Sequence, residues 1–215
     1  MNFRTNKVIC FGTLLLAAAT LVSGCATTGM DRSVKASNSI QQVDTDIREL
    51  IVKIDVSGAS LDALVAAGNP NLKESFDTFT KDLGKLDDKG KQVIKHMEEM
   101  KARNTEYFAE WEKQGDTYTN PEIRELSDER RIKLADTYAQ VPAAGAGVQR
   151  AYLAYLSDLK QIQIFLSNDL TPSGIQAIDP VAKKSIQDRD ALKMSLGPVL
   201  VALDAIKAEL YAKQK

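Results

Sequence analysis

The sequence predicts an all-α protein, an elongated antiparallel helical bundle or coiled coil of three to four long helices. Apolar residues recur at alternating spacings of three and four over tens of residues, as in a heptad seam. Prolines follow capping residues at Asn69-Pro70, Asn120-Pro121, Thr171-Pro172 and Asp179-Pro180, the pattern of helix starts. No section is strand-rich, and there is neither an exact internal repeat nor a low-complexity tail.

The chain opens with Arg4 and Lys7, then fifteen largely apolar residues from Val8 to Val22, then small residues before Cys25. This is the layout of a secretory signal peptide, too short to span a bilayer as a mature helix. The ending Val22-Ser23-Gly24-Cys25 resembles a bacterial lipobox, which implies cleavage before Cys25 and acylation of its thiol. The expected organisation is therefore a signal at 1–24, a lipidated tether at 25–31 and a helical bundle domain at 32–215. In lipoproteins of this kind an aspartate after the cysteine favours inner-membrane retention. Ala26 stands there instead, so the resemblance implies the periplasmic face of the outer membrane.

Cys10 lies within the signal, so lipidation of Cys25 leaves no thiol for a disulfide, a metal or nucleophilic catalysis. One acyl chain holds a protein only marginally, whereas two or three make a stable anchor. The whole chain has 28 Lys and Arg against 29 Asp and Glu. Removing Arg4 and Lys7 with the signal leaves 26 against 29, or −3, with no basic excess to attract nucleic acid.

The first helix carries the seam Ile40, Val43, Ile47, Leu50, Ile54, Ser57, Leu61 and Leu64, broken only at Ser57. The second runs from Phe76 through Phe79, Leu83, Leu86, Gly90, Val93, Met97, Met100, Asn104 and Tyr107 to Trp111. Ile51, Val65, Ile94 and Phe108 add apolar groups at flanking e positions, so each helix meets more than one neighbour and a bundle is expected. Gly68 and Gly115 mark helix ends, and the short connections make successive helices antiparallel. A third helix is expected from Pro121 to about Asp169. The last is expected from Pro180 to near Lys213, after a turn at Ser173 to Ile178.

Pro142 and Pro198 fall inside the third and fourth predicted helices, where each should kink or break its helix. Counted from the turn near Tyr118, Gly90 is level with Gly145 and Gly147, so small residues of two antiparallel helices face one another. Gly90, Pro142, Gly145 and Gly147 are therefore either a hinge, a waist where a partner enters, or a place where backbones pack closely. Trp111 and Tyr118 return to the level of residue 32. There they sit either at a membrane interface beside the anchor or, for Trp111, in the core that its seam position implies.

Reactive constellations are missing from the pattern. His96, the single histidine, occupies a g position beside the seam, and no other His or Cys joins it to hold a metal. It reads as a solvated or edge histidine. Asp87-Asp88 and Glu98-Glu99 read as solvated faces with salt bridges rather than acid–base pairs, as does the alternating charge of residues 124–133. Gly84-Lys85 lacks the upstream glycine of a phosphate loop. No enzyme, cofactor or metal is expected.

The segment "FAEWEKQGDTYTNPEIRELSDERRIKLADTY" and the later "YLSDLKQIQIFLSNDL" resemble an uncharacterised family of Gram-negative helical lipoproteins, classed as a domain of unknown function. The likeness rests on Phe108, Glu110, Trp111 and Glu112, then Tyr118 and Asn120, then Arg124, Ser127 and Tyr138. Some relatives are labelled DNA-repair ATPases, a label unsupported here by a nucleotide loop or a basic surface. The resemblance transfers no catalytic residue. The expected role is an outer-membrane lipoprotein acting as a structural or protein-interaction adaptor in the envelope. The alternative is a carrier that binds a lipid or other apolar ligand between helices near Gly90 and Gly145.

Overall fold

The structure, a computed structural model, describes residues 28–66 and 68–211. Cys25 and the predicted signal 1–24 lie outside the described residues. Five helices follow in order: α1 Gly29–Val65, α2 Leu72–Gly115, α3 Pro121–Ala144, α4 Val148–Asn168 and α5 Pro172–Tyr211. The chain is all-α among the described residues. At 1.5 Å per residue the 44-residue α2 is about 66 Å long, which sets the length of the bundle.

α1 starts where Thr28 and Asp31 form a capping box. The Asp31 N–H donates to Thr28 Oγ1 at 3.1 Å, and the Thr28 N–H donates to Asp31 Oδ2 at 3.0 Å. Residues 29–31, expected to be tether, are thus the first turn of a helix. All eight predicted seam residues of α1 are buried, including Ser57, whose hydroxyl donates to its own helix at Ile54 O, 3.1 Å. Of the α2 seam, Phe79, Leu83, Leu86, Gly90, Val93, Met100 and Tyr107 are buried.

Asn69 joins the two helices. Its Nδ2 donates to Ala63 O at 3.0 Å, closing the end of α1, and its Oδ1 accepts from Asn71 N at 2.8 Å, leading into α2. Gly68 takes φ +72° in the same turn. α1 and α2 run antiparallel, as the pairs Asp46–Lys89 and Gln42–His96 require.

The third predicted helix is two. α3 ends at Ala144, a turn occupies Gly145 to Gly147, and α4 begins at Val148. Pro142 sits in the last turn of α3, and Gly147 at φ +86° supplies the left-handed residue that starts α4 afresh. Both pieces pack between α2 and α5. Both run antiparallel to α2, as Trp111–Ser127 and Asp87–Lys160 show, so they form one interrupted rod and complete a four-rod bundle.

The expected start of the last helix at Pro180 is also corrected. Thr171 caps α5 by accepting from Gly174 N at 3.1 Å, Pro172 is its first residue, and residues 173–178 are helical rather than a turn. α5 then runs on through Pro180 and Pro198, neither of which breaks it. Both prolines lie on the exposed side.

α5 is held to α1 by Asp62–Arg189 at 3.4 Å, Asp55–Lys193 at 2.5 Å, Arg48–Asp204 at 3.6 Å and Asp44–Lys207 at 3.3 Å. No described helix is long and apolar enough to cross a membrane.

Candidate functional site

The interrupted rod opens a cavity. About 510 Å³ lie between α2 and the α3–α4 junction, with α1 and α5 behind. Ile47 and Leu50 of α1, Val93, Met97 and Met100 of α2, and Leu196 and Val199 of α5 form an apolar interior. The volume falls in the range of small-molecule pockets, about 300–1,000 Å³.

Gly90 and Tyr152 close one end. A methyl group on Gly90 would lie 1.8 Å from Tyr152 Oη, so only glycine admits the ring at this level. The phenol donates to Leu86 O at 3.0 Å, one helical turn before Gly90. Burial, followed by the neighbouring Asp87 and Asp88 carboxylates, pushes this phenol well above its ordinary pKa, so it remains a donor. Phe108 and Tyr138 border the other end, with ring centroids 5.2 Å apart and edge to face.

The lips are polar. Glu98, Lys101, Asn104 and Thr105 line one side from α2, facing Ala139 and Pro142 of α3 and Gln149 of α4. Asn104 Oδ1 is buried and accepts no hydrogen bond from any described residue. Lys101 and Thr105 are exposed at the mouth.

Gly90, Pro142 and Gly145 are thus brought to one cavity. Gly147 does not line it but makes the turn beside it. Spacing set Gly90 level with Gly145 and Gly147, whereas the structure sets it against the ring of Tyr152, five residues beyond Gly147.

Trp111 is half-buried and packs on the core. Its Nε1–H donates to Ser127 Oγ at 2.9 Å, and its ring meets Tyr107 at 5.6 Å. This is the core packing its seam position implied, and the indole N–H is taken by the neighbouring α3. Tyr118 is 40% exposed in the turn between α2 and α3. Ser33 hydrogen-bonds Tyr107, so the end of α2 does return to the level of the start of α1.

Spacing missed one feature. His96 is mostly buried, and its Nδ1 lies 2.5 Å from Asp46 Oδ2 on α1. Lys89 reaches the other oxygen of the same carboxylate at 2.7 Å and also Glu49 at 2.5 Å. Burial would raise the Asp46 pKa, but hydrogen bonds from His96 and Lys89 and their charges outweigh it, and the carboxyl stays below its ordinary value. Asp46, Lys89 and His96 all hold g positions, which face each other in an antiparallel pair. That pairing is the signal in the sequence. The cluster is an ion-paired clasp between α1 and α2. Among the described residues, no three His, Cys, Asp or Glu side chains gather as metal ligands.

A second depression, about 570 Å³, is lined only by residues between Pro70 and Lys81. A single stretch of chain cannot surround a ligand, so the cavity between α2 and the α3–α4 junction is the candidate site.

A family model described as "Protein of unknown function (DUF2959)" matches residues 56–196. That span includes most of the cavity lining and the Trp111–Ser127 pair. No curated protein and no solved structure matches the chain.

Proposed function

Because this chain belongs to the DUF2959 family, whose description assigns no activity, we propose from geometry that it is a membrane-tethered binding protein for an apolar ligand. The observation that carries this role is the apolar cavity of about 510 Å³ held open where α3 and α4 part. A tightly packed bundle has few voids larger than a water molecule. A half-open cleft of this size with a polar rim is the form of a ligand site. The role involves no catalytic step and no nucleic acid. The lipobox-like ending at Cys25 supports attachment to the periplasmic face of the outer membrane.

Native mass spectrometry of protein taken from membranes tests the binding role. A bound apolar molecule that is absent when Ala139→Trp narrows the mouth supports it; a cavity that is always empty opposes it. Cys25→Ser should move the protein out of membrane fractions, and unchanged retention would refute the lipid tether.

A second role, an envelope adaptor, draws on the tip of the bundle. Ile123 and Leu126 are 50% and 67% exposed beside Tyr118, an apolar patch at the α2–α3 turn. Photo-crosslinking from Leu126 in cells separates the two roles, since a discrete protein adduct favours the adaptor.

A further inference from the structure

The first turns of α3 project past the helices beside them. Gly115, where α2 ends, faces Ser127 and Asp128 of α3. Glu209, two residues before the described end of α5, pairs with Arg130 and Lys133. Ser33 hydrogen-bonds Tyr107, so α1, which starts four residues earlier at Gly29, stops short of the level that α2 reaches eight residues after Tyr107. Residues 121–126, about 9 Å of helix, therefore stand beyond all three.

The projection is apolar on the side that faces the bundle axis. Ile123 lies one turn before Ser127, which meets Trp111 of α2, and Leu126 lies one turn before Arg130, which meets Glu209 of α5. Both continue the faces by which α3 packs, and both are exposed because the packing partners have ended. Tyr118 and, on the first turn of α1, Met30 are exposed at the same end. The adjoining segments bring no large apolar side chain to cover them: Ala26, Thr27 and Thr28 precede α1, and Ala212, Lys213, Gln214 and Lys215 follow α5. Arg124 is paired with Asp116, which leaves Glu122 and Glu125 as the remaining charges of the projection. A second copy on the same patch would set these acids against their counterparts, and an anionic surface would repel them.

Cys25 is the exception among the adjoining residues. It stands four residues before Gly29, a span of at most about 14 Å, so acyl chains on its thiol hold the bilayer surface beside this end of the bundle. We propose that residues 118–126 dock into that surface, a layer of zwitterionic phospholipid, with Ile123 and Leu126 in the headgroup–acyl boundary and Tyr118 among the headgroups. Apolar helix faces enter this boundary by about 5–10 Å, which the projection matches. The docking rests on the lipid tether proposed above and adds a second contact that stands the rod on its end. The Phe108 and Tyr138 end of the cavity, seven residues or about 10 Å from Gly115, then lies close to the membrane surface.

The test uses the mature lipidated chain, extracted from membranes and reconstituted into phosphatidylcholine vesicles whose acyl chains carry a nitroxide quencher. With Cys10 removed and Cys25 acylated no free thiol remains, so Ile123→Cys, Leu126→Cys and the mid-rod control Val52→Cys each take a single nitrobenzoxadiazole dye. The dyes at 123 and 126 should shift to the blue and lose most of their emission to the quencher, while the dye at 52 keeps its own. Leu126→Asp should abolish quenching at 123 in protein that still floats with the vesicles and keeps its helical circular dichroism. Unquenched dyes at 123 and 126 in floating protein overturn the docking and leave the tether standing. Equal quenching at 52 overturns the upright rod. A Cys25 peptide without acyl mass, from protein that does not float, overturns the tether and the docking with it. A discrete protein adduct from a photo-crosslinker at position 126 in cells overturns lipid as the occupant.

Discussion

A single missing methyl group at Gly90 decides how closely α2 meets α4. The hypothetical Cβ sits 1.8 Å from the Tyr152 hydroxyl oxygen and 2.1 and 2.5 Å from two atoms of its ring, and a buried ring on a helix has nowhere to retreat. Gly90→Ala should therefore destabilise the fold by about 1–3 kcal/mol, the usual cost of overpacking. In Gly90→Ala with Tyr152→Leu, the alanine should cost much less than it does alone. Urea unfolding of the four proteins in the cycle measures this coupling.

Asp46 makes the corresponding prediction for charge. Its folded pKa lies below the ordinary 3.8, so its stabilising contribution is complete above that value and lost as pH falls through the folded pKa. Asp46→Asn takes one of two carboxylates from the buried Lys89, leaving Glu49, and should cost about 1–3 kcal/mol at pH 7. The gap between variant and parent should then narrow below about pH 4. Urea unfolding at pH 7 and pH 3 checks it, and a gap that is constant with pH would refute it. The residue identities alone did not reveal this clasp. Asp46 and His96 are fifty positions apart, and only the antiparallel pairing of g positions relates them.

At the scale of the element, regular apolar spacing was the legible part. The seam of α1 is buried at every predicted position, because a helix with two or more neighbours has no freedom to rotate its stripe outward. Proline punctuation was legible only in part. Asn120 caps α3 as its type suggests, accepting from Glu122 N at 2.9 Å. Asp179-Pro180 has the same form yet lies inside α5, because Thr171 had already started that helix and the proline ring faces solvent.

Pro180 thus removes one N–H from an otherwise continuous exposed helix face. Pro180→Ala should stabilise the protein by on the order of 1–3 kcal/mol, read as a raised midpoint in thermal unfolding. α3 differs from its neighbours in the opposite sense. It buries only Leu134, Tyr138 and Val141, so its first three turns are held chiefly by polar pairs, to α2 at Trp111–Ser127 and Arg131–Glu112 and to α5 at Arg130–Glu209. Hydrogen exchange should be faster across residues 123–133 than across the middle of α1 or α2. Equal protection would contradict this ordering.

For the whole molecule, the bundle follows from three long rods and one broken one. The break was half legible, since Pro142, Gly145 and Gly147 lie close together in the chain. Spacing could not say whether the rod bends or parts, because that depends on how well α2 and α5 fill the space beside it. The result is a site made of all four rods, with Ile47, Val93, Val141 and Leu196 converging from four different helices. The family resemblance noted from residues 108–138 also acquires a physical content. Trp111–Ser127, Arg131–Glu112 at 3.5 Å and the Phe108–Tyr138 ring pair clamp the α2–α3 turn. That clamp fixes one end of the cavity.

The clasp at Asp46 has a consequence for sliding. Repeated apolar seams tolerate displacement of one rod past another by a whole heptad, about 10.5 Å, since each knob finds an equivalent hole. The α2 g positions read Asp82, Lys89, His96 and Arg103 in order. A slip one way would set Asp46 against Asp82, carboxylate on carboxylate. A slip the other way would abandon Lys89 to a low-dielectric interior. Asp46, Lys89 and His96 thus set the axial offset of α1 and α2, and with it the height of the cavity above the first turn of α1.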